Sequence, residues 1–309
     1  MGTGRFTDAD WDRYTTTHIR GRSTSTVFSS RSLHPALNPH GVGMRESRDS
    51  ADNPNSHAII VDVDVTGSMG FLADVMVRQG CHTLATEIYA RKPVSDPHIM
   101  FMANGDVECD RAPLQVTQFE ADIRIAEQLR QIWLEGGGGG NNHESYLLPW
   151  YFAAMHTSID CFEKRGKKGY LFTAGDEEPQ MVLRAAEIEQ VLGTRPQADL
   201  TAEALLAVVS RYYHVYHLMV EEGSHFRSYG DRVASKWTRL MGQRAIRLSD
   251  HTKMAEVIVS TIQVNEGADR DDVVASWNGD TSVAVRAALK SLTRRQEFGL
   301  GGLVRFLRG

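Results

Sequence analysis

Short apolar, β-branched runs alternate along the chain with longer stretches whose apolar residues recur at helical spacing. Ala58-Ile59-Ile60-Val61-Asp62-Val63-Asp64 is the first such run. It closes on carboxylates, as a buried strand of a parallel sheet does where it leaves the core. Between Met69 and Lys92, Leu72, Val75, Met76 and Leu84 follow a helical period. His98 to Ala103 is a second strand, ending at Asn104-Gly105-Asp106, and the stretches Phe119–Leu134 and Glu144–Lys164 read as helices. Tyr170-Leu171-Phe172-Thr173-Ala174 is a third strand that runs into Gly175-Asp176. The pattern then predicts a helix over 202–211, a strand over 213–220, a helix over 233–241, a strand over 245–248 and a helix over 254–264. Strands alternating with helices imply an α/β fold with a mainly parallel sheet covered on both faces. The expected division is an N-terminal arm over 1–57, the α/β domain over 58–267 and a helical C-terminal cap over 268–309. Val273, Val274, Trp277, Val283 and Leu289 are the core positions expected of that cap.

Composition narrows the function classes. Of 309 residues, 41% are hydrophobic and 24% charged, which are ordinary globular values. Lys and Arg number 34 against 39 Asp and Glu, for a net charge of -5. That balance lacks the basic field of a dedicated nucleic-acid binder. No apolar run approaches the ~18 residues of a membrane span, and no signal-peptide core opens the sequence. Phe6 stands where a myristoylation signal needs Ser or Thr. Cys81, Cys109 and Cys161 have no paired spacing, so a reducing, cytoplasmic setting is expected. The N-terminal segment carries seven Arg, no Lys and six carboxylates between Met1 and Ser56. It reads as a surface arm or edge hairpin, with a docking arm for a partner as the sharper reading.

The candidate chemistry gathers at the carboxyl ends of the strands, where open parallel sheets bind ligands. Asp64, Thr66 and Ser68 alternate in the loop after the first strand, so an extended chain aims one carboxylate and two hydroxyls the same way. Such hard oxygen donors suit a divalent cation such as Mg²⁺. Asp176 leaves the third strand, and the run Gly136 to Gly140 lets Asn141 and Asn142 approach an ion closely. That glycine run lacks the Gly-Lys-Ser/Thr ending of a phosphate-cradling loop. Asp106 and Asp110 read as a solvated loop that caps the next element, with a second cation or partner site as the alternative. His214 and His217, three apart in one strand, fall on opposite faces and are no ligand pair. Trp133, Trp150, Trp237 and Trp277 read as core. Gly301 to Arg308 reads as a docking tail or a tucked-in terminus.

Asp64-Val65-Thr66-Gly67-Ser68-Met69 resembles the first motif of von Willebrand factor A domains, the Asp-x-Ser/Thr-Gly-Ser-Met form of the metal-ion-dependent adhesion site. Tyr170 to Glu177 resembles the strand and loop that supply that site's last Asp. The resemblance spans about 58–264 and points to the bacterial or phage type. It implies a Rossmann-like doubly wound fold, a Mg²⁺ or Mn²⁺ ion, and metal-assisted protein binding without catalysis. By the same resemblance Thr66 and Ser68 contact the ion directly, while Asp64 and Asp176 act directly or through water. The family's middle motif offers Thr, whereas this chain reads Asn141-Asn142-His143-Glu144-Ser145. Asn142 is the expected ligand, with Asn141 and Glu144 as rivals. Asp176 also arrives two residues later than in the family's usual ending. The implied partner is a protein offering an acidic residue to the metal. In bacteria such domains often accompany AAA+ ATPases of the MoxR type.

A different class competes for the same residues. Asp62-Val63-Asp64-Val65-Thr66 is similar to the opening of haloacid-dehalogenase-like phosphatases, in which the first Asp attacks phosphorus and the second protonates the leaving group around Mg²⁺. Gly105-Asp106-Val107-Glu108-Cys109-Asp110 matches that family's acidic motif but precedes Thr173, the wrong order. The phosphatase reading also leaves Gly67-Ser68-Met69 and the glycine loop unexplained. With the adhesion site in place, Asp62 still requires a partner, because a buried carboxylate is costly unless paired or hydrogen-bonded.

Overall fold

The central sheet has six strands: β1 (His57–Asp64), β2 (Pro97–Asn104), β3 (Leu114–Val116), β4 (Gly169–Gly175), β5 (Tyr213–Val220) and β6 (Ala245–Leu248). The computed structural model describes residues 4–67, 69–137 and 143–292. The strands lie in the order β6-β5-β4-β1-β2-β3, parallel throughout except for the antiparallel pair β2–β3. The longer helices are α1 (Asp8–His18), α2 (Cys81–Arg91), α3 (Leu147–Met155), α4 (Ala185–Leu192), α5 (Ala202–Val209), α6 (Ser224–Met241), α7 (Met254–Asn265) and α8 (Gly279–Ala288). This is a doubly wound α/β fold with a mainly parallel sheet.

Both faces of the sheet are covered, and the strand period of two divides the core accordingly. Ile59, Val61 and Val63 join Phe101, Phe172 and Leu218 in one cluster with Leu84 of α2 and Ile258 of α7. Ala58 and Ile60 join Met100, Leu171 and Val215 in the other, with Trp150 of α3, Leu205 of α5 and Trp237 of α6. Each fully buried Val, Leu, Ile, Phe or Met side chain among them contributes roughly 1.5–3 kcal/mol. Because β1 is buried along its whole length, it reads as a continuous apolar run, not as an alternating one. From β1 the chain proceeds to β2 and β3 on one side and reaches β4 on the other. The topological switch point therefore lies between the carboxyl ends of β1 and β4.

Several elements differ from the sequence pattern. The first residues form a helix, not a hairpin: Thr7 caps α1 by accepting a hydrogen bond from Asp10 N at 3.1 Å. Phe6, Trp11, Tyr14, Ile19, Val27, Phe28 and Leu37 enter the same cluster as α2 and α7. The stretch expected as a helix over 144–164 is broken, because β-branched Thr157 and Ile159 sit in a short strand paired in parallel with Arg45–Ser47. The helix expected over 119–134 is confined to Arg124–Leu129, and β3 precedes it. Helix α6 starts at Ser224 and carries a non-helical residue, Tyr229. In the C-terminal part Val273, Val274 and Leu289 are buried, but Val283 is 68% exposed. Helix α8 turns Ala284, Val285 and Ala288 inward and leaves Val283 on its outer face. Residues 301–308 lie outside the described residues. Among the described residues no helix is long and apolar enough to cross a membrane.

Candidate functional site

Three strand-end loops converge at the switch point, and each brings acidic residues. Asp62 and Asp64 both point to the α3 side of β1, two residues apart. Asp62 is fully buried and accepts a hydrogen bond from Asn104 Nδ2 at 2.5 Å, which supplies the partner its burial demands. Burial pushes its carboxyl well above the ordinary range, against the pull of Asn104. Asp64 is held by three donors. Its Oδ1 accepts from Thr66 N at 2.8 Å and from Thr66 Oγ1 at 2.6 Å, and its Oδ2 accepts from the Tyr146 hydroxyl at 3.0 Å. Burial nevertheless raises the Asp64 carboxyl, with Asp176 adding to the effect. By giving its hydrogen to Asp64, the Thr66 hydroxyl keeps its oxygen lone pairs for a cation.

Asp176 follows β4, and its Oδ2 accepts from His225 N, in the first turn of α6, at 2.8 Å. A Cβ on Gly223 would fall 2.2 Å from that oxygen, so glycine is what lets the helix start sit so close. Burial raises the Asp176 carboxyl as well. Glu177, beside it, is pushed up to about 7 by burial and then by Asp176 and Asp106, and His225 Nδ1 lies 3.8 Å from its Oε1.

The segment His143 to Tyr146 crosses between these loops. Ser145 N donates to Gly105 O at 3.2 Å, and Val107 N donates to Ser145 Oγ at 2.9 Å. On the other side His143 and Glu144 pair in parallel with Glu178 and Pro179. Glu144 is only 2% exposed; burial raises its carboxyl, and Asp64 and Glu177 raise it further. Tyr146 rests edge-on against His217 and Trp237, whose rings stack on each other 3.5 Å apart. A Cβ on Gly175 would come within 2.0 Å of the Tyr146 hydroxyl, so β4 needs glycine there.

Of the expected ion ligands, the structure brings Asp64, Thr66 and Asp176 together. Ser68, Asn141 and Asn142 lie outside the described residues. The glycine loop does meet the first motif, since Gly67 N donates to Gly137 O. Asp106 is fully buried, not solvated, and Asp110 accepts from its backbone N at 2.8 Å. His217 belongs to the aromatic stack beneath the site, with Nδ1 2.8 Å from Thr173 Oγ1. Trp150 and Trp237 are fully buried, while Trp133 and Trp277 are half-buried. Sequence reasoning missed Tyr146 and Glu177 as members of the site. Glu177 was signalled by its place next to Asp176; Tyr146 carried no local signal.

Among the described residues the donors gathered here, Asp64, Thr66 and Asp176, offer carboxylate and hydroxyl oxygens, which fit a hard divalent cation. Asp62 Oδ1, Glu144 Oε2 and Glu177 Oε2 are buried with no hydrogen-bond partner, a pattern that a cation would relieve. A second group stands at the ends of β5 and β6, where ligand atoms of Glu222, Asp250 and His251 lie within 4.8 Å of one another. These side chains already serve the local chain. Glu222 Oε2 accepts from His251 N at 2.7 Å and lies 2.6 Å from His251 Nδ1, while Asp250 caps Thr252.

No protein-family model matches the sequence, and no curated protein matches it. Among solved structures, the pilus adhesin SpaC from Lactobacillus rhamnosus GG in its open conformation is similar at TM-score 0.46 and 9% identity. That match covers 71% of this chain but 31% of the adhesin, so the chain spans about a third of the adhesin's length. A von Willebrand factor type A structure from Catenulispora acidiphila is similar at TM-score 0.36 and 14% identity, covering 78% of this chain and 52% of that one.

Proposed function

We propose that the chain is a divalent-metal-dependent protein-binding or assembly module of the von Willebrand factor A type, without catalysis of its own. The observation that carries this reading is the Thr66–Asp64 hydrogen-bonded pair, set beside Asp176 at the switch point of a parallel sheet. Asp64, Thr66, Ser68 and Asp176, with a ligand from the 141–144 segment, would hold Mg²⁺ or Mn²⁺. When bound, the ion would supply a positive centre at which a partner's Asp or Glu replaces a water. Within a shielded interface such a contact is stronger than in bulk water. Cys81, Cys109 and Cys161 are free, in keeping with the cytoplasmic setting we propose. An ATPase of the MoxR type remains the partner class suggested by the family resemblance alone.

The phosphatase alternative asks Asp62 to attack phosphorus. A nucleophile must face its substrate, whereas Asp62 is fully buried and bonded to Asn104. The deciding experiment is a pull-down from lysate with and without chelator, using the wild type and Ser68→Ala. Capture that depends on both metal and Ser68 is expected. Capture indifferent to both would move binding to another surface, and phosphatase turnover abolished by Asp62→Asn would replace this reading with the enzyme.

A further inference from the structure

We infer that Glu144 is a direct ligand of the divalent ion and takes the middle position that the family pattern gives to a hydroxyl. This rests on the reading of the switch point as a cation site and identifies the residue which that reading leaves open between 141 and 144.

Three observations carry it. Glu144 is buried, and its Oε2 has no hydrogen-bond partner, although buried carboxylate oxygens are rarely left without one. It stands beside the ion site: it lies two residues before Tyr146, whose hydroxyl donates to Asp64, and Asp64 and Glu177 are the charges that act on it most strongly. Finally, its backbone is fixed on both sides. Ser145 ties it to the loop after β2 through Gly105 and Val107, and pairing with Glu178 and Pro179 ties it to the loop after β4. A carboxylate built so firmly among other carboxylates is unfavourable for the empty fold and favourable once a cation arrives. Holding a ligand by its surroundings is what makes a metal site selective for position.

The two roles, ligand and structural support, predict opposite signs. Removing a structural contact lowers both stability and metal binding. Removing a ligand from an acidic site relieves like-charge repulsion in the empty protein while weakening the ion's hold. The test is a calorimetric titration of the full chain with Mn²⁺ alone, together with melting curves in chelator, for the wild type, Glu144→Gln and Glu144→Asp. Expected is Mn²⁺ affinity lowered at least about tenfold in Glu144→Gln, the lower end of what even outer-shell partners of metal ligands are worth. Its melting temperature in chelator should be at or above that of the wild type. Glu144→Asp, which keeps a carboxylate, should bind better than Glu144→Gln. Wild-type affinity in Glu144→Gln would overturn the assignment while leaving the ion site standing. A lowered melting temperature in chelator for both variants, with weakened binding, would make Glu144 a structural residue and also overturn it. No Mn²⁺ uptake by the wild type would remove the ion site and this inference together.

Discussion

Asp62 and Asp64 share one face of one strand, yet their hydrogen bonds assign them different work. Asp62 receives a single amide donor and stays inside the core. Asp64 receives a backbone amide, a hydroxyl and a phenol, and is fixed in position at the strand end. The phenol is held in turn by the close approach of β4 at Gly175. Gly175→Ala should therefore displace Tyr146 and destabilise the fold by about 1–3 kcal/mol, the usual range for overpacking a tight core. Urea denaturation checks this, and an unchanged midpoint would mean that the ring shifts freely. At this scale the sequence was partly legible. Asp64, Thr66 and Asp176 could be read because carboxylates and hydroxyls follow apolar strands at fixed offsets. Tyr146 meets Asp64 across 82 residues, a pairing that no local spacing announces.

Elements were most legible where burial on both faces leaves continuous apolar runs, as in residues 58–61 of β1 and 170–172 of β4. They were least legible where tertiary pairing overrides propensity, as in the strand Thr157–Ile159 between two helical turns. That strand belongs to a patch in which the N-terminal segment is tied down, with Asp49 at its centre. Asp49 accepts from Arg165 Nη1 at 2.8 Å, from Ser56 Oγ at 2.8 Å and from Lys164 Nζ at 3.2 Å. Partial burial pushes its carboxyl up, but the bonds from Arg165, Ser56 and Lys164 prevail and hold it below the usual carboxylate range. A depressed folded-state value gives stability that is complete above the unfolded value of ~3.9 and is lost as the pH falls through the folded one. Asp49→Asn should thus cost about 1–3 kcal/mol at neutral pH, with the difference from wild type narrowing in acid. Denaturant melts at neutral pH and near pH 3 test the sign; an equal difference at both would exclude the linkage.

Across the whole molecule, the strand order decides where function can sit. The chain leaves β1 in one direction and returns at β4 in the other, opening a crevice into which the loops after β1, β2 and β4 all deliver carboxylates. The two clusters divided by the sheet pack both of its faces, and the N-terminal helix α1 completes one of them. The alternation of runs revealed the sheet and its helices. It did not reveal that the first residues enter the core, because their apolar positions are sparse and set among Thr, Arg and Asp. The central claim is that this acidic crevice holds a divalent cation. The most direct test is calorimetric titration of the metal-free protein with Mg²⁺ and Mn²⁺, beside Asp64→Asn and Ser68→Ala. The account predicts saturable binding by the wild type that weakens at least about tenfold in both variants. Wild-type titrations indistinguishable from dilution, or full affinity retained in Asp64→Asn and Ser68→Ala, would contradict it.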